Sequence, residues 1–459
     1  MISFSLGELA TFGNYILKGQ DLVIDAVSTD SRKCKNALFV ALKGEKFDGH
    51  DYIEKAIEGG AVAVVSSKVL PESITDRVSI VLCDDTLKAL GYCGYLVRRK
   101  SKARIASLTG SCGKTTVKEL THAILSICGN CMCTQGNFNN DVGVPLTLLS
   151  LTKDTKYAVI EQGASHLFDI AHTCEFVKAN TAIINNVGGA HLEGFGSYDG
   201  VYRGKSQIID DVLSRGGRAA VPSDSKYFER WKSEYASAFR KGSLVSFGTH
   251  EFDFVQYSNV KESLSGIEFD LRSPLNDYKI KMNVLGAHNA SNAAAATTLS
   301  LMTGASEAAL KAGLESASSM QGRLCAHDFK KMTVIDDAYN ASFNACMSAI
   351  DTLSLYKGHR VFIFGDMGEL GNAAVELHEK LGEHAASKVD ETLCVGPLSE
   401  NTSRCAGVSG KHFNCHSDLV QYARDLLDKY PYVSFLVKGS HSMHMDTISK
   451  ELIALGELL

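Results

Sequence analysis

Apolar and polar residues alternate with two different periods along this chain, and a clear change of period lies near residue 110. Residues 104–108 alternate in the manner of a β-strand. Apolar residues then recur at helical spacing from Val117 to Ile127, and Gly129-Asn130 gives a stop signal for a helix. The pattern therefore predicts a strand, a short loop and an amphipathic helix.

The loop between this strand and helix, Leu108-Thr-Gly-Ser-Cys-Gly-Lys-Thr-Thr116, has the composition of a phosphate-binding loop. Gly110 and Gly113 let backbone N–H groups face an anion, and the helix N-terminus adds the positive end of its dipole. Lys114 supplies a cation for the terminal phosphates, and the Thr115 hydroxyl is a candidate Mg²⁺ ligand. A glycine-rich turn without a ligand is the alternative, but Gly-Lys-Thr-Thr between a strand and a helix favours ATP binding. The predicted ATP contacts in the loop are Gly110, Ser111, Cys112, Gly113, Lys114, Thr115 and Thr116.

Strand and helix patterns on both sides of this loop predict an α/β protein with three domains. In the N-terminal region, short strand patterns at 37–42 and 61–65 lie on either side of a helical stretch. In the C-terminal region, strand patterns alternate with helical stretches, as expected of a parallel sheet. Since 459 residues exceed what one hydrophobic core usually holds, we predict domains at 1–84, 85–314 and 315–459.

Composition and charge exclude several classes of protein. The chain is 45% apolar and 22% charged with a net charge of −5, which is typical of a water-soluble enzyme and offers no basic face for nucleic acid. No apolar run approaches the length of a membrane span, and the N-terminus lacks a secretion signal, so we expect a cytoplasmic protein. The 13 cysteines are scattered, which suits a reducing compartment. Cys128, Cys131 and Cys133 start with a zinc-like spacing, but no nearby second pair completes a site, and they are interpreted as ordinary thiols.

Polar residues at the ends of two predicted strands are candidate metal ligands. Glu161 follows the strand pattern at 157–160, and His191 follows soon after the pattern at 181–184. Open α/β sheets bind ligands at the carboxyl ends of their parallel strands. A solvated carboxylate and a structural histidine are the alternatives, but ATP chemistry needs Mg²⁺ and ligands for it beside the phosphates.

Two further polar groups are candidates for ligand contacts. Asn289 and Asn292 lie three apart at the start of an alanine-rich helix, hence on one face, and could hydrogen-bond a nucleotide base. Capping of that helix by Asn289 is the alternative. Near the N-terminus, the polar clusters 28–32 and 43–50 flank a predicted strand, where they either line a ligand site or form turns.

A series of short motifs recurs in a fixed order along the chain. The motifs are Asp30-Ser-Arg32, Phe47-Asp-Gly-His50, Thr109-Gly-Ser-Cys-Gly-Lys-Thr-Thr116, Gly136-Asn-Phe-Asn-Asn140, Glu161-Gln-Gly-Ala164, Asn185-Asn-Val-Gly-Gly-Ala-His191, Gly286-Ala-His-Asn289, Gly322-Arg-Leu324, Asp336-Asp-Ala-Tyr-Asn340 and Lys438-Gly-Ser440. Together they resemble the Mur ligase family over essentially the whole chain. Within that family, they resemble most the ligases that add D-alanyl-D-alanine to a UDP-N-acetylmuramoyl-tripeptide.

The resemblance implies an N-terminal domain for the UDP-sugar peptide, a central ATPase and a C-terminal Rossmann-like domain that closes over the nucleotide. It implies that ATP phosphorylates the carboxylate of the UDP-N-acetylmuramoyl-tripeptide, and that the amine of D-alanyl-D-alanine then displaces phosphate, in peptidoglycan precursor synthesis. ADP and phosphate are the implied products. We expect a monomer, with no nucleic-acid partner and no membrane span.

The resemblance also implies roles for individual residues. The implied metal ligands, for two Mg²⁺ ions, are Thr115, Glu161, His191 and Lys205, the last as a carbamate. The implied ATP contacts outside the loop are Asn289, Asn292, Arg323 and Asp337. The implied catalytic residues are Lys114, Lys205, His191 and Arg323. The implied substrate contacts are Ser31, Arg32, Lys43, Asn137, Asn139 and Asn140.

The chain departs from the family pattern at a few positions. The usual Lys-Gly-Glu-Ile reads Lys205-Ser-Gln-Ile208, so Gln207 replaces a carboxylate. A surface lysine that pairs with Asp210 or Asp211 is therefore the alternative for Lys205. The other departures, which concern the substrate side, are Ser342, Phe343 and His441.

Two other functions share part of this pattern. Another amino-acid-adding Mur ligase or a folylpolyglutamate-synthase-like ligase would use the same loop and acyl phosphate, but the Asp30-Ser-Arg32 and Phe47-Asp-Gly-His50 motifs argue against it. A nucleotide-switched regulator would need no separate sugar-peptide domain, and the sequence has no Asn-Lys-x-Asp guanine motif. Amide formation that depends on a second substrate distinguishes a ligase from a regulator.

Overall fold

The N-terminal part of the chain forms a small α/β layer. The computed structural model describes residues 1–318 and 321–459. The first strands are β1 (Phe4–Ser5), β2 (Ile16–Lys18), β3 (Val23–Ile24), β4 (Val27–Ser28), β5 (Leu38–Val40), β6 (Ala63–Ser66) and β7 (Ser79–Leu82). The helices of this part are α1 (Leu6–Gly13), α2 (Ile53–Glu58), α3 (Glu72–Thr75) and α4 (Thr86–Lys100). The sheet order is β2-β7-β6-β5-β4, with β2 antiparallel and the other pairs parallel. The strands predicted at 37–42 and 61–65 are confirmed as β5 and β6.

The middle part is built on a large sheet. Its strands are β8 (Arg104–Thr109), β9 (Cys131–Cys133), β10 (Tyr157–Glu161), β11 (Thr181–Ile184), β12 (Arg218–Pro222), β13 (Leu244–Gly248), β14 (Val255–Ser263), β15 (Gly266–Arg272) and β16 (Asp277–Met282). In the described residues they lie in the order β16-β15-β14-β13-β12-β11-β8-β10-β9. Strands β8 to β14 are parallel, and β15 and β16 extend the sheet in antiparallel fashion. The phosphate-loop strand β8 thus lies inside the sheet rather than at its edge.

Helices cover both faces of this sheet. They are α5 (Lys114–Cys128), α6 (Gly143–Leu149), α7 (Asp169–Val177), α8 (Leu192–Phe195), α9 (Tyr198–Ser214), α10 (Phe228–Glu234), α11 (Ala236–Lys241), α12 (Asn289–Thr303) and α13 (Glu307–Glu315). Val117, Leu120 and Ile124 are buried at helical spacing on α5, which confirms the predicted helix after the loop. Alanines of α12 are fully buried, and their small side chains let this helix pack closely against α5 and the sheet.

The C-terminal part forms a third α/β layer. Its strands are β17 (Cys325–Asp328), β18 (Met332–Asp337), β19 (His359–Gly365), β20 (Glu391–Val395), β21 (Gly410–Phe413) and β22 (Val433–Lys438). Its helices are α14 (Phe343–Leu353), α15 (Ala374–Ala386), α16 (Ser399–Cys405), α17 (His416–Lys429) and α18 (Met445–Leu458). The order is β17-β18-β22-β19-β20-β21, and the predicted parallel sheet is confirmed except for β17, which is antiparallel.

The buried residues tie these layers together. One apolar cluster runs from Leu38 and Val65 of the N-terminal sheet through Leu90 of α4 to Ile160 and Val201 of the middle part. The N-terminal layer therefore rests on the layer that carries the phosphate loop. Among the described residues, every helix is too short or too polar to cross a bilayer.

Candidate active site

A cleft of about 1110 Å³ lies between the middle and C-terminal parts, at the carboxyl ends of β8, β10 and β18. From the middle part, its walls are formed by segments 111–116, 137–141, 163–166 and 288–292, with Glu161 and His191. From the C-terminal part, they are formed by segments 322–324, 339–342, 368–370 and 440–442, with Asp337 and Lys438. The cleft thus collects most residues that the sequence predicted for ATP and metal binding, from positions far apart in the chain.

The loop after β8 has the conformation of an anion cradle. Gly113 has φ +72°, and a Cβ there would lie 2.6 Å from Oδ1 of Asn292, so only glycine fits. Backbone N–H groups of the loop donate to Oδ1 of Asn186 at 2.9 and 3.1 Å. Nζ of Lys114 donates to the carbonyl of Gly110 at 3.0 Å. Burial lowers the pKa of Lys114, and the nearby Glu161 carboxylate opposes that shift.

A chain of asparagine amides supports the loop from behind. Nδ2 of Asn185 donates to Oδ1 of Asn292 at 3.0 Å, and Nδ2 of Asn292 donates to Oδ1 of Asn289 at 2.7 Å. Nδ2 of Asn289 in turn donates to the carbonyl of Leu285 at 2.7 Å. The alternative that Asn289 caps its helix is wrong, because this side chain gives its amide hydrogen to a carbonyl and α12 begins without a side-chain cap. A contact of these asparagines with adenine stays a prediction.

Glu161 and Lys205 are buried next to the loop with unsatisfied polar atoms. Oε1 of Glu161 accepts from Nδ2 of Asn139 at 2.7 Å, whereas Oε2 has no hydrogen-bond partner within the described residues. Lys205 is 0% exposed, and its Nζ likewise lacks a partner in the described part of the chain. Burial, reinforced by Lys114, holds the pKa of Lys205 well below its usual range. The alternative of a surface lysine paired with Asp210 or Asp211 is therefore wrong. Lys205 lies behind the wall of the cleft rather than in its lining.

His191 is presented by a strained turn. Its φ of 56° is left-handed, and it immediately precedes the short helix α8. Nδ1 of His191 pairs with a carboxylate oxygen of Glu369, which comes from the C-terminal part, and lies 3.4 Å from Oγ of Ser165. This pairing lowers the pKa of Glu369. Sequence reasoning gave Glu369 no role, since its contact with His191 depends on how the parts of the chain pack.

Arg323 and Asp337 reach the cleft from the opposite wall. Nη2 of Arg323 donates to Oγ1 of Thr115 at 3.0 Å, and its guanidinium stacks 4.4 Å from the ring of Tyr339. Asp337 accepts from Nζ of Lys438 at 2.6 Å, a contact that sequence reasoning did not foresee. The signal was the Lys438-Gly-Ser440 motif at the end of a strand. The structure thus places both predicted C-terminal residues at the cleft.

The six predicted substrate contacts fall in two groups. Asn137, Asn139 and Asn140 line the cleft. Ser31, Arg32 and Lys43 lie outside it, on the N-terminal layer, where Arg32 is exposed and binds Asp30 at 2.8 Å. The cleft and the N-terminal motif are therefore separate surfaces in this conformation.

A second cavity of about 570 Å³ adjoins the loop on its other side, at the ends of β11 and β12. It shares several residues with the main cleft, among them Ser111, Cys112 and Ser291. Its other polar walls include Asp224 and Tyr257. The Asn185-to-His191 motif contributes to its walls, but the sequence did not predict the cavity, because Asp224 and Tyr257 belong to none of the motifs. The phosphate loop is thus flanked by two cavities.

Comparison with protein families identifies the class of this protein. The chain matches the model described as "Mur ligase family, catalytic domain" at residues 23–93, "Mur ligase middle domain" at 108–300 and "Mur ligase, glutamate ligase domain" at 322–441. The chain belongs to the Mur ligase family, and it is an ATP-dependent ligase.

Its relatives define its place within the family. The UDP-N-acetylmuramoyl-tripeptide–D-alanyl-D-alanine ligase of Escherichia coli (strain K12) is 40% identical over 98% of this chain and 99% of its own length. The ligase of the same name from Bacillus subtilis (strain 168) is 31% identical, over 95% and 94%. A crystal structure of MurF from Acinetobacter baumannii superposes with a TM-score of 0.92 at 31% identity, covering 99% of both chains. A MurF ligase from Thermotoga maritima in complex with ADP superposes at 0.82 with 25% identity, over 94% and 98%.

Proposed function

We propose that this chain joins D-alanyl-D-alanine to a UDP-N-acetylmuramoyl-tripeptide with hydrolysis of ATP to ADP and phosphate, as a step of peptidoglycan precursor synthesis. The observation that carries the proposal is the cleft between the parts of the chain. In this cleft of about 1110 Å³, Lys114 and Thr115 of the loop meet Arg323 of the C-terminal part, which donates to Oγ1 of Thr115 at 3.0 Å. Identity of 40% over the full length to the E. coli ligase of that name supports the same substrates.

The two cavities beside the loop suggest how ATP lies. Glu161 follows β10 on one side of β8, and the smaller cavity lies on the other side, next to β11 and β12. A nucleotide whose phosphates fill the loop would direct its terminal phosphate toward Glu161 and its adenosine toward the polar groups of Asp224 and Ser291. Asn289 and Asn292, which line the main cleft next to Ser291, would contact the adenosine side where the two cavities adjoin. The ADP complex of the T. maritima ligase supports a nucleotide site in this fold.

The residues present fit a magnesium site. Two buried polar atoms, Oε2 of Glu161 and Nζ of Lys205, have no partner within the described residues. Burial lowers the pKa of Lys205, so its amine loses its proton at a lower pH than the amine of a surface lysine does. Only a neutral amine combines with carbon dioxide. We propose that Thr115, Glu161, His191 and carbamylated Lys205 hold two Mg²⁺ ions, which would supply positive charge to the phosphate oxygens.

The chain's own residues would act by position and charge. A carboxylate oxygen of the tripeptide attacks the terminal phosphorus while the bond from that phosphorus to ADP breaks, which gives an acyl phosphate. The amine of D-alanyl-D-alanine then attacks the acyl carbon, the carbon–oxygen bond to phosphate breaks, and the amine loses a proton to solvent. Lys114 and Arg323 would neutralise charge on the transferred group, and no protein nucleophile is needed.

The remaining assignments follow from the size of the sugar nucleotide. We place its uridine end on the N-terminal layer near Ser31, Arg32 and Lys43, and its peptide end near Asn137, Asn139 and Asn140 in the cleft. We keep 1–84, 85–314 and 315–459 as the proposed domain limits, the first for the sugar nucleotide. We further propose that the enzyme acts as a monomer in the cytoplasm.

A substrate matrix tests the function. The full chain would be incubated with ATP, Mg²⁺, UDP-N-acetylmuramoyl-tripeptides that carry either lysine or diaminopimelate, and D-alanyl-D-alanine. Parallel reactions would replace the dipeptide with L-glutamate, the sugar nucleotide with a folate, or both. Mass spectrometry should detect a pentapeptide product only with the muramoyl-tripeptide and the D-dipeptide. A product with folate and glutamate, or ATP hydrolysis independent of any acceptor, would contradict the proposal.

A further inference from the structure

A cluster of side chains with metal-binding groups lies apart from the cleft lining. Glu119 and His122 belong to α5, and Cys133 is the last residue of β9. One ligand atom from each of the three lies within 4.8 Å of the other two. The sequence pattern had left Cys133 as an ordinary thiol because no nearby cysteine pair completes a site. The structure supplies the missing groups from a helix, since α5 packs over the strand that carries Cys133.

The hydrogen bonds of His122 leave one of its ring nitrogens available to a metal. Nε2 of His122 lies 3.1 Å from the carbonyl of Cys131 and 3.3 Å from Oγ of Ser126. An N–H donated to the carbonyl leaves Nδ1 of His122 as the nitrogen with a free lone pair. Histidines that bind metal commonly donate their second ring nitrogen to a carbonyl in this way. Among the described residues, no hydrogen bond joins the three groups to one another, and their spacing suits a small ion better than direct contact.

The donor atoms of the cluster suit a divalent ion that prefers sulfur and nitrogen. Nζ of Lys118, whose side chain is 1% exposed, lies 3.0 Å from Oε1 of Glu119, so a bound metal shares this carboxylate with the ammonium. Within residues 1–318 and 321–459, the hydrogen-bond contact of the Cys133 thiol is a distant one, 3.9 Å from Nε2 of Gln135. A metal that binds here displaces the thiol proton to solvent, so the site gains a sulfur–metal bond and one net positive charge. Sulfur, imidazole and carboxylate together favour Zn²⁺ over Mg²⁺, with a fourth position left for water.

We propose that Glu119, His122 and Cys133 form a binding site for Zn²⁺ or a similar transition-metal cation, separate from the ATP cleft. The ion would join the helix that begins at the phosphate loop to β9, the edge strand of the large sheet. Because the site uses none of the residues placed at the cleft, its failure would leave the proposed ligase function untouched.

Cobalt serves as the probe, because a cobalt–thiolate bond gives a charge-transfer absorption that a site without sulfur does not. The full chain, stripped of metal with a chelator, would be titrated with Co²⁺ in the presence of excess Mg²⁺ and ATP, and Zn²⁺ would then be added to displace it. The test variants are Cys133→Ser and His122→Ala. Cys131→Ser is the matched control on the same strand, and Cys112→Ser excludes a signal from the loop thiol.

The native chain, Cys131→Ser and Cys112→Ser should show the thiolate band with one equivalent of Co²⁺, and Zn²⁺ should abolish it. Cys133→Ser should lose the band, and His122→Ala should bind at least ~10-fold more weakly. Glu119→Gln, a partly exposed position, should also weaken binding and serves if the other variants fail to fold. Absence of the band in the native chain, its persistence in Cys133→Ser, or its loss in Cys131→Ser or Cys112→Ser would overturn the proposal.

Discussion

Nδ1 of His191 pairs with the carboxylate of Glu369, so a residue of the middle part is held by a residue of the C-terminal part at the edge of the cleft. A second link between the same parts joins the N–H of Glu193 to the carbonyl of Glu369 at 3.3 Å. Glu369 belongs to the C-terminal part and holds the ring of His191. The orientation of this proposed metal ligand therefore depends on how closely that part approaches. We therefore expect the approach of that part and the assembly of the proposed metal site to be coupled.

Removal of the Glu369 charge should weaken the binding of Mg²⁺ more than the binding of ATP. In Glu369→Gln, we expect the Mg²⁺ concentration for half-maximal ligation to rise at least ~10-fold, because His191 loses the partner that fixes its ring. The KM for ATP should change little. Glu383→Gln, an exposed position on α15, is the control. Identical magnesium titrations of the two variants would remove Glu369 from the account.

Lys114→Ala should abolish most ligation without unfolding the chain. Its Nζ contacts only the Gly110 carbonyl within the described hydrogen bonds, so the fold loses little, whereas the transferred phosphoryl group loses a positioned cation. We expect kcat/KM to fall at least ~100-fold. Lys153→Ala, at an exposed position, serves as control. Steady-state kinetics measures kcat/KM, and circular dichroism checks that the variant is folded. A wild-type kcat/KM in Lys114→Ala would show that the loop is only structural.

Lys205→Ala should be nearly inactive and partly restored by formate or acetate. A buried ammonium beside Mg²⁺ would repel it, whereas a carbamate supplies oxygen ligands that a small carboxylate can imitate. Lys205→Glu should keep more activity than Lys205→Ala for the same reason. The control is Lys232→Ala, a lysine paired with Glu229 on α10. An active Lys205→Ala enzyme would leave the carbamate without a role.

ATP alone should be hydrolysed slowly. The loop and Arg323 address the terminal phosphate, but the acceptor is a substrate carboxylate that arrives from elsewhere, and water has no assigned position. Phosphate release should therefore rise strongly when the UDP-N-acetylmuramoyl-tripeptide is added. A coupled phosphate assay measures both rates, and equal rates would favour a nucleotide-switched regulator over a ligase.

The pair of Arg360 and Asp390 should contribute to acid sensitivity of the C-terminal part. Nε and Nη2 of Arg360 donate to Asp390 at 2.9 Å, and this bonding lowers the pKa of Asp390 below its usual 3.8. The Asp390 carboxylate therefore binds a proton more readily in the unfolded chain than in the folded one. The pair stabilises the folded state fully above about pH 4, and this stabilisation is lost as the pH falls through the lowered pKa. In Asp390→Asn, the urea concentration at the midpoint of unfolding should fall less steeply with decreasing pH than it does in the wild type. Asp428→Asn is the control, and parallel curves for wild type and Asp390→Asn would contradict the assignment.

The sequence predicted what local patterns determine. The strand and helix around the loop follow from periodicity over residues 104–128, and the structure has them as β8 and α5. The antiparallel β17 escaped notice, because a short strand gains its stability from pairing with β18 rather than from its own composition. The resemblance implied a metal-site role for Lys205, and its burial excludes the surface alternative that Gln207 had left open. Glu369 was missed because its contact with His191 joins two parts of the chain.

Isotope transfer tests the central claim, phosphorylation of the substrate carboxylate, most directly. The UDP-N-acetylmuramoyl-tripeptide would carry heavy oxygen in its terminal carboxylate and would be converted by the enzyme with unlabelled ATP, Mg²⁺ and D-alanyl-D-alanine. Mass spectrometry of the products should find ADP together with orthophosphate that has gained one heavy oxygen, while the other heavy oxygen stays in the new amide. Unlabelled orthophosphate, or AMP with pyrophosphate as the nucleotide products, would contradict an acyl phosphate formed in this cleft.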